Sequence, residues 1–151
     1  MSIEILNTVS SIIFTSTLQG EFPVKIIRKI LAYLNTKKYE TNTLFNQLKK
    51  SKKNKEYFVL LGFFHEYGIG TKIDPIAAFQ YYKAANAGHA GALIELARCY
   101  SEGRGTRQNH RKGFLAWRIL ASSKSIGAYP WLASAYEAGW GTMKDRHEAI
   151  K

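Results

Sequence analysis

Apolar residues recur along most of this chain at the three- and four-residue steps of a helix. Starting at Pro23, the residues Val24, Ile27, Ile30, Leu31 and Leu34 fall on one face, and Leu44, Phe45 and Leu48 form a shorter stripe. Beyond residue 54 the stripes come in pairs. Leu61 with His65, Leu96 with Tyr100 and Leu132 with Tyr136 mark three first helices. Second stripes follow at Ala78, Phe79, Tyr82 and Ala85, and again at Phe114, Trp117 and Leu120. Nowhere does the pattern alternate as a strand would. It predicts an all-α chain of helix hairpins, with second helices over Pro75 to Ala87 and His110 to about Ser122.

The punctuation between the stripes repeats as well. Gly-x-Gly-Thr occurs at Gly68 to Thr71, Gly103 to Thr106 and Gly139 to Thr142, at steps of about 35 residues. A Leu followed by a small residue precedes each motif, as Leu61-Gly62, Leu96-Ala97 and Leu132-Ala133. Asp74, Asn109 or Asp145 follows it. The first Gly suits a left-handed helix C-terminus, and the second suits a tight connection that needs φ freedom. Asp74, Asn109 and Asp145 read as N-caps of the second helices, with Pro75 at a first helical position and Glu148 completing a capping box with Asp145. The small residue after each Leu lets the second helix approach closely.

These residues resemble the Sel-one-like repeat family, relatives of the tetratricopeptide repeats. Copy one carries Leu61-Gly62, Gly68, Gly70, Asp74, Ala78, Tyr81-Tyr82 and Ala84-Ala85. Copy two carries Ala92, Leu96, Tyr100, Gly103, Gly105 and Trp117, and copy three Ala128, Leu132, Tyr136, Gly139, Gly141, Asp145 and Ala149. The resemblance implies a right-handed α/α superhelix, a solenoid of tetratricopeptide-like hairpins, and a non-enzymatic scaffold or adaptor role in protein–protein interaction. Repeats are expected at 54–88, 89–124 and 125–151, the last truncated, behind a helical capping segment at 1–53 that ends in a basic linker. Only six residues follow Asp145, too few for a stable second helix. The expectation is therefore a piece of a longer array, or self-association through the incomplete C-terminal repeat.

Charge modifies this picture only locally. The formal net charge is +11, yet the excess is densest before residue 57. The run Lys49-Lys50-Ser51-Lys52-Lys53-Asn54-Lys55 reads as a solvated connection ending in an N-cap at Asn54, with nuclear import or an anionic contact as the alternative. No segment reaches the ~18 apolar residues of a membrane span, and the N-terminus lacks the layout of a secretory signal. A cytoplasmic protein, or a nuclear one, is the expectation.

Candidate chemistry is sparse. His65, His89, His110 and His147 occupy unrelated places in the repeat, so no metal site and no cofactor are expected. Cys99 has no evident activating partner, and a single cysteine sets the chain apart from the Cys-rich enzymes of the resembled family. The glycine pairs follow helices and lack the Lys-Ser/Thr of a phosphate loop.

Setting aside the positions that recur for structural reasons leaves a stripe on each first helix. Val59, Phe63, Glu66 and Tyr67 form it in copy one, Ile94, Arg98 and Glu102 in copy two, and Ser134 and Glu137 in copy three. Three parallel stripes would line a partner groove, placed on the concave side by the resemblance. Its carboxylates outnumber Arg98, which favours an apolar peptide bearing basic residues. The competing reading is a nucleic-acid-binding array using Arg104, Arg107, Arg111 and Lys112, but no side-chain pair recurs as a base-reading code would require.

Overall fold

The computed structural model describes residues 3–51, 55–86 and 89–144, and all regular structure among them is helical. Eight α-helices follow one another: α1 (Ile3–Leu18), α2 (Pro23–Thr36), α3 (Thr41–Lys50), α4 (Lys55–Tyr67), α5 (Pro75–Ala85), α6 (Ala90–Glu102), α7 (His110–Ser122) and α8 (Tyr129–Ala138). A 3-10 turn, Ile126–Ala128, leads into α8. Helices α4 and α5 pack as one hairpin and α6 and α7 as the next, while α8 opens the third unit.

The hairpins form for the reasons the repeat suggests. Gly103 and Gly139 end α6 and α8 in the left-handed region, at φ 71° and 77°, and Gly68 does the same after α4. Asp74 accepts a hydrogen bond from the Ala77 N–H and Asn109 one from the Lys112 N–H, both at 3.0 Å, so both start their helices as N-caps. Asp145 and Glu148 lie outside the described residues, as do Asn54 and the tail that follows Asp145. Gly62 sits so close to the ring of Tyr82 that a Cβ there would overlap it, which is why a glycine stands beside Leu61.

The second glycine of each loop has a further task. A Cβ on Gly105 would overlap the backbone carbonyl of Pro75, one on Gly141 that of His110, and one on Gly70 that of Thr41. Each loop thus rests on the first turn of the second helix in the preceding unit. Thr41 begins α3, so α3 takes towards copy one the place that α5 takes towards copy two. No Gly-x-Gly-Thr precedes α3, so the sequence carries no repeat mark there.

The N-terminal helices do more than cap the first repeat. Ile26, Ile30 and Leu34 of α2 and Leu44, Phe45 and Leu48 of α3 share one core with Leu60, Leu61, Phe63 and Phe64 of α4. The unpredicted element is α1, whose Ile5, Leu6, Val9 and Ile13 join the same core. Two of its hydroxyls bond back to the helix, Thr17 donating to the Ile13 carbonyl at 2.6 Å and Thr8 to that of Glu4 at 2.9 Å, while Ser16 accepts from Lys29 of α2. From this core α1 crosses α4 and α6 and reaches the 3-10 turn before α8, where Gly20 packs against Gly127.

Candidate interaction face

The face made by the first helices α4, α6 and α8 carries the predicted stripe, and α1 lies across it. The stripe is therefore not an open groove. Val59 packs with Phe79, Tyr82 and Leu96 inside the hairpin stack, Phe63 is fully buried under the N-terminal helices, and Ile94 packs with Trp117 and Leu120. These three were expected on the surface. They are corrected to core positions, because the helix face turned towards solvent in a bare repeat is covered here by α1 or by the next unit.

Glu66, Tyr67 and Arg98 of the stripe meet protein partners instead of solvent, while Glu102 is exposed. Glu66 is 2% exposed; it accepts a hydrogen bond from the Tyr82 hydroxyl at 2.7 Å and faces the Arg104 Nε at 3.3 Å. Arg98 donates to Glu95 Oε2 and to the Tyr67 hydroxyl, both at 2.9 Å. Copies one and two are thus bolted together by Glu66–Arg104 and Tyr67–Arg98, ties between residues more than thirty positions apart. Burial works against the Arg98 charge, but Glu95, Tyr67 and Glu66 around it hold its proton more tightly than usual. Burial pushes the Tyr67 and Tyr82 phenols well above their ordinary range and the Cys99 thiol up to about 12. Burial also lifts the Glu95 carboxyl to about 7, with Arg98 opposing the shift.

Two cavities remain beside α1. One of about 520 Å³ lies between α1, α4 and the start of α6, and Glu95 contributes to its lining. His89 closes one side. It is the N-cap of α6, accepting from the Ala92 N–H at 3.3 Å, a role its sequence position did not advertise. The second cavity, about 320 Å³, lies between the α1–α2 turn and the second and third units. Three expected residues line it, Ile94, Arg98 and Glu102, together with Trp117 and Trp131. Trp131 stacks on Trp117 with ring centres 5.1 Å apart. On the opposite wall the Glu21 carboxyl is held down at about 2 by hydrogen bonds from Lys29, Ser16 and Lys25. Phe22 and Ile126, 82% and 64% exposed, lie at its rim. Ser134 and Glu137 are exposed on α8, and neither lines either cavity.

Of the basic residues offered to nucleic acid, Arg104 is engaged with Glu66 and lies over the Tyr67 ring, while Arg107, Arg111 and Lys112 are exposed. Among the described residues no three His, Cys, Asp or Glu side chains converge as metal ligands, and no helix is long and apolar enough to cross a membrane.

Comparison with known proteins agrees with this architecture. The chain is similar to a Sel1 repeat protein from Oxalobacter formigenes, at 23% identity and a TM-score of 0.67, over 80% of this chain and 53% of that one. It is also similar to a protective antigen of uropathogenic Escherichia coli strains that displays an SLR fold, at 19% identity and a TM-score of 0.67, over 91% of this chain and 30% of that one. The chain thus spans about half of the first and under a third of the second, and at these identities the likeness concerns the fold. No curated protein matches the chain. The Sel1 repeat model matches residues 59–89, 90–115 and 130–151, more than half of the sequence. The chain belongs to the Sel1 repeat family, whose members are generally protein-interaction scaffolds.

Proposed function

We propose that this protein is a scaffold that binds a peptide segment of a partner protein through the cleft between the α1–α2 turn and the second and third repeats. One observation carries the reading: Arg98 and Glu102, with the core side chain Ile94, line a concave site together with the paired Trp117 and Trp131. Stacked aromatic side chains in a cleft are the kind of group on which binding energy concentrates. The exposed Phe22 and Ile126 extend the apolar surface, and the Glu102 carboxylate at the margin favours a segment with basic residues beside apolar ones. The α1 helix supports the reading in a second way, because it is itself a segment packed across α4 and α6 beside the cleft.

The test is capture of partners by the purified chain with and without nuclease, repeated with Glu102→Arg and with Ile126→Asp. Both side chains are exposed, so circular dichroism and melting stay as in the wild type. A nuclease-resistant partner, lost or weakened at least tenfold by each variant, is the expected outcome. Equal retention by both variants refutes the cleft, and loss of the partner on nuclease treatment turns the reading towards nucleic acid.

A further inference from the structure

We propose that the solvent face of the second helices α3, α5 and α7 docks onto an anionic lipid surface, with its cations against the headgroup phosphates and its exposed aliphatic side chains at the acyl boundary. The three helices are built alike. Phe45, Phe79 and Phe114 are buried, and each meets an aromatic ring of the following first helix edge-on. The ring centres lie 5.2 Å from His65, 5.7 Å from Tyr100 and 5.4 Å from Tyr136. Four residues further along each helix, Lys49, Lys83 and Arg118 lie over those phenyl rings, 5.9, 5.6 and 5.8 Å from their centres. One repeat length separates each cation from the next. The packing therefore holds a positive charge at the same register position on three successive units.

Charge and exposure select the partner. No Asp or Glu occurs within α3, α5 or α7, whereas Glu66, Glu95, Glu102 and Glu137 stand on first helices. Glu40 and Asp74 precede α3 and α5 and lie nine positions before Lys49 and Lys83, about 13 Å along a helix axis. Lys49, Lys83 and Arg118 are exposed, and none forms an ion pair among the described residues. Aliphatic side chains share this face. Leu115 and Ile119 of α7 flank Arg118, and Ile76 lies on the Lys83 side of α5; the three are 42%, 57% and 67% exposed. An anionic bilayer satisfies both features, because its phosphates meet the cations and its acyl margin takes the aliphatic groups. A nucleic-acid backbone answers the charges alone and leaves the aliphatic groups unburied.

The inference goes beyond the partner reading and stands without it. Trp117 of that cleft lies on the opposite side of α7, and none of the six face residues lines either cavity. The test is co-sedimentation of the 151-residue chain with vesicles of phosphatidylcholine alone and of phosphatidylcholine mixed with phosphatidylglycerol. Binding to the anionic vesicles only, weakening as salt rises, is expected. Lys83→Gln with Arg118→Gln is expected to weaken it about 25-fold, at roughly fivefold for each cation near the surface. Leu115→Ser with Ile119→Ser is expected to weaken it roughly tenfold. All four side chains are exposed, so circular dichroism stays as in the wild type, and should one pair lose helicity the other carries the readout. Both pairs keep Lys49 to Lys55 intact, so anionic-vesicle binding unchanged in a folded pair overturns the proposal, as does its absence in the wild type. Binding of a duplex oligonucleotide that depends on Lys83 and Arg118, without vesicle binding, assigns the face to nucleic acid instead.

Discussion

Two glycines of one loop allow the repeat geometry to be weighed quantitatively. Gly103 and Gly105 have nearly the same backbone, φ 71° and 70°, so replacing either by alanine costs the same left-handed penalty of ~1–2 kcal/mol. Either replacement also removes the same freedom from the unfolded chain, which returns ~0.4–1 kcal/mol. These contributions cancel when the two variants are compared. What differs is the neighbour. A Cβ on Gly103 meets the Gln108 Cβ at 3.1 Å and its backbone N at 3.3 Å, contacts that a shift of a few tenths of an ångström in the loop relieves. A Cβ on Gly105 overlaps the carbonyl of Pro75, which is backbone at the start of a capped helix and cannot move without tilting α5 against α6. Overpacking of this kind costs ~1–3 kcal/mol.

Gly105→Ala is therefore expected to be less stable than Gly103→Ala by about 1–3 kcal/mol, which for a chain of this length is a melting temperature lower by roughly 2–10 °C. Urea denaturation monitored at 222 nm measures the same difference through the midpoint at constant slope. If the two variants agree to within about 0.5 kcal/mol, the loop does not rest on α5, and the account of how successive units are registered fails.

Two further outcomes follow from the buried groups. Glu95 holds its proton to about pH 7 in the folded chain against 4.5 for the free side chain. The native state thus binds more protons than the unfolded one between those values, and stability falls as pH rises from about 4.5 to 7, by an amount on the order of 1–3 kcal/mol; in Glu95→Gln the slope of stability against pH across that window flattens, and an unchanged slope contradicts the assignment. Cys99 is buried, with its thiol pushed up to about 12, so iodoacetamide at pH 8 is expected to modify it only as fast as the protein unfolds; rapid labelling of a folded, helical sample contradicts its placement.

The repeat was legible because its signals are local. Gly103, Asp74 and Asn109 each act within a few residues of themselves, and α7 runs over the His110 to Ser122 span that its apolar spacing predicts. The stripe was legible only in part. Removing recurring positions leaves whatever varies between copies, and residues vary for two reasons: contact with a partner, or contact with something that is itself not repeated. Phe63 belongs to the second kind, as it lies beneath helices that occur once. Glu66 and Arg98 do too, since their partners Arg104 and Tyr67 sit in neighbouring copies, a pairing that spacing within one helix cannot show. The α1 helix is poorly marked in the sequence because Thr8, Ser10, Ser11, Thr15, Ser16 and Thr17 have low helix propensity, and Ser16 and Thr17 interrupt its buried face. The spacing of Ile5, Val9 and Ile13, four residues at a time, was the signal that could have found it.

That helix changes what kind of object the array is. In a solenoid each unit touches only its neighbours, and stability is close to a sum of units and interfaces. Here α1 contacts α4, α6 and the 3-10 turn that opens the third unit, so one element is bonded to all three units at once. Loosening any of them weakens the seat of α1, and losing α1 uncovers Phe63 in the first unit while removing Leu18 from beside the Ile94 and Trp117 cluster of the second. The units are thereby coupled beyond nearest neighbours, and the first-helix face is divided rather than left open. The two cavities beside α1 are what that division leaves. A partner helix laid along the whole face would have to displace α1 and its buried Ile5, Leu6, Val9 and Ile13, a loss on the order of several kcal/mol at ~1.5–3 kcal/mol per buried side chain. On the proposed reading, a short segment entering the cleft displaces nothing, whereas a long helix would have to expel α1.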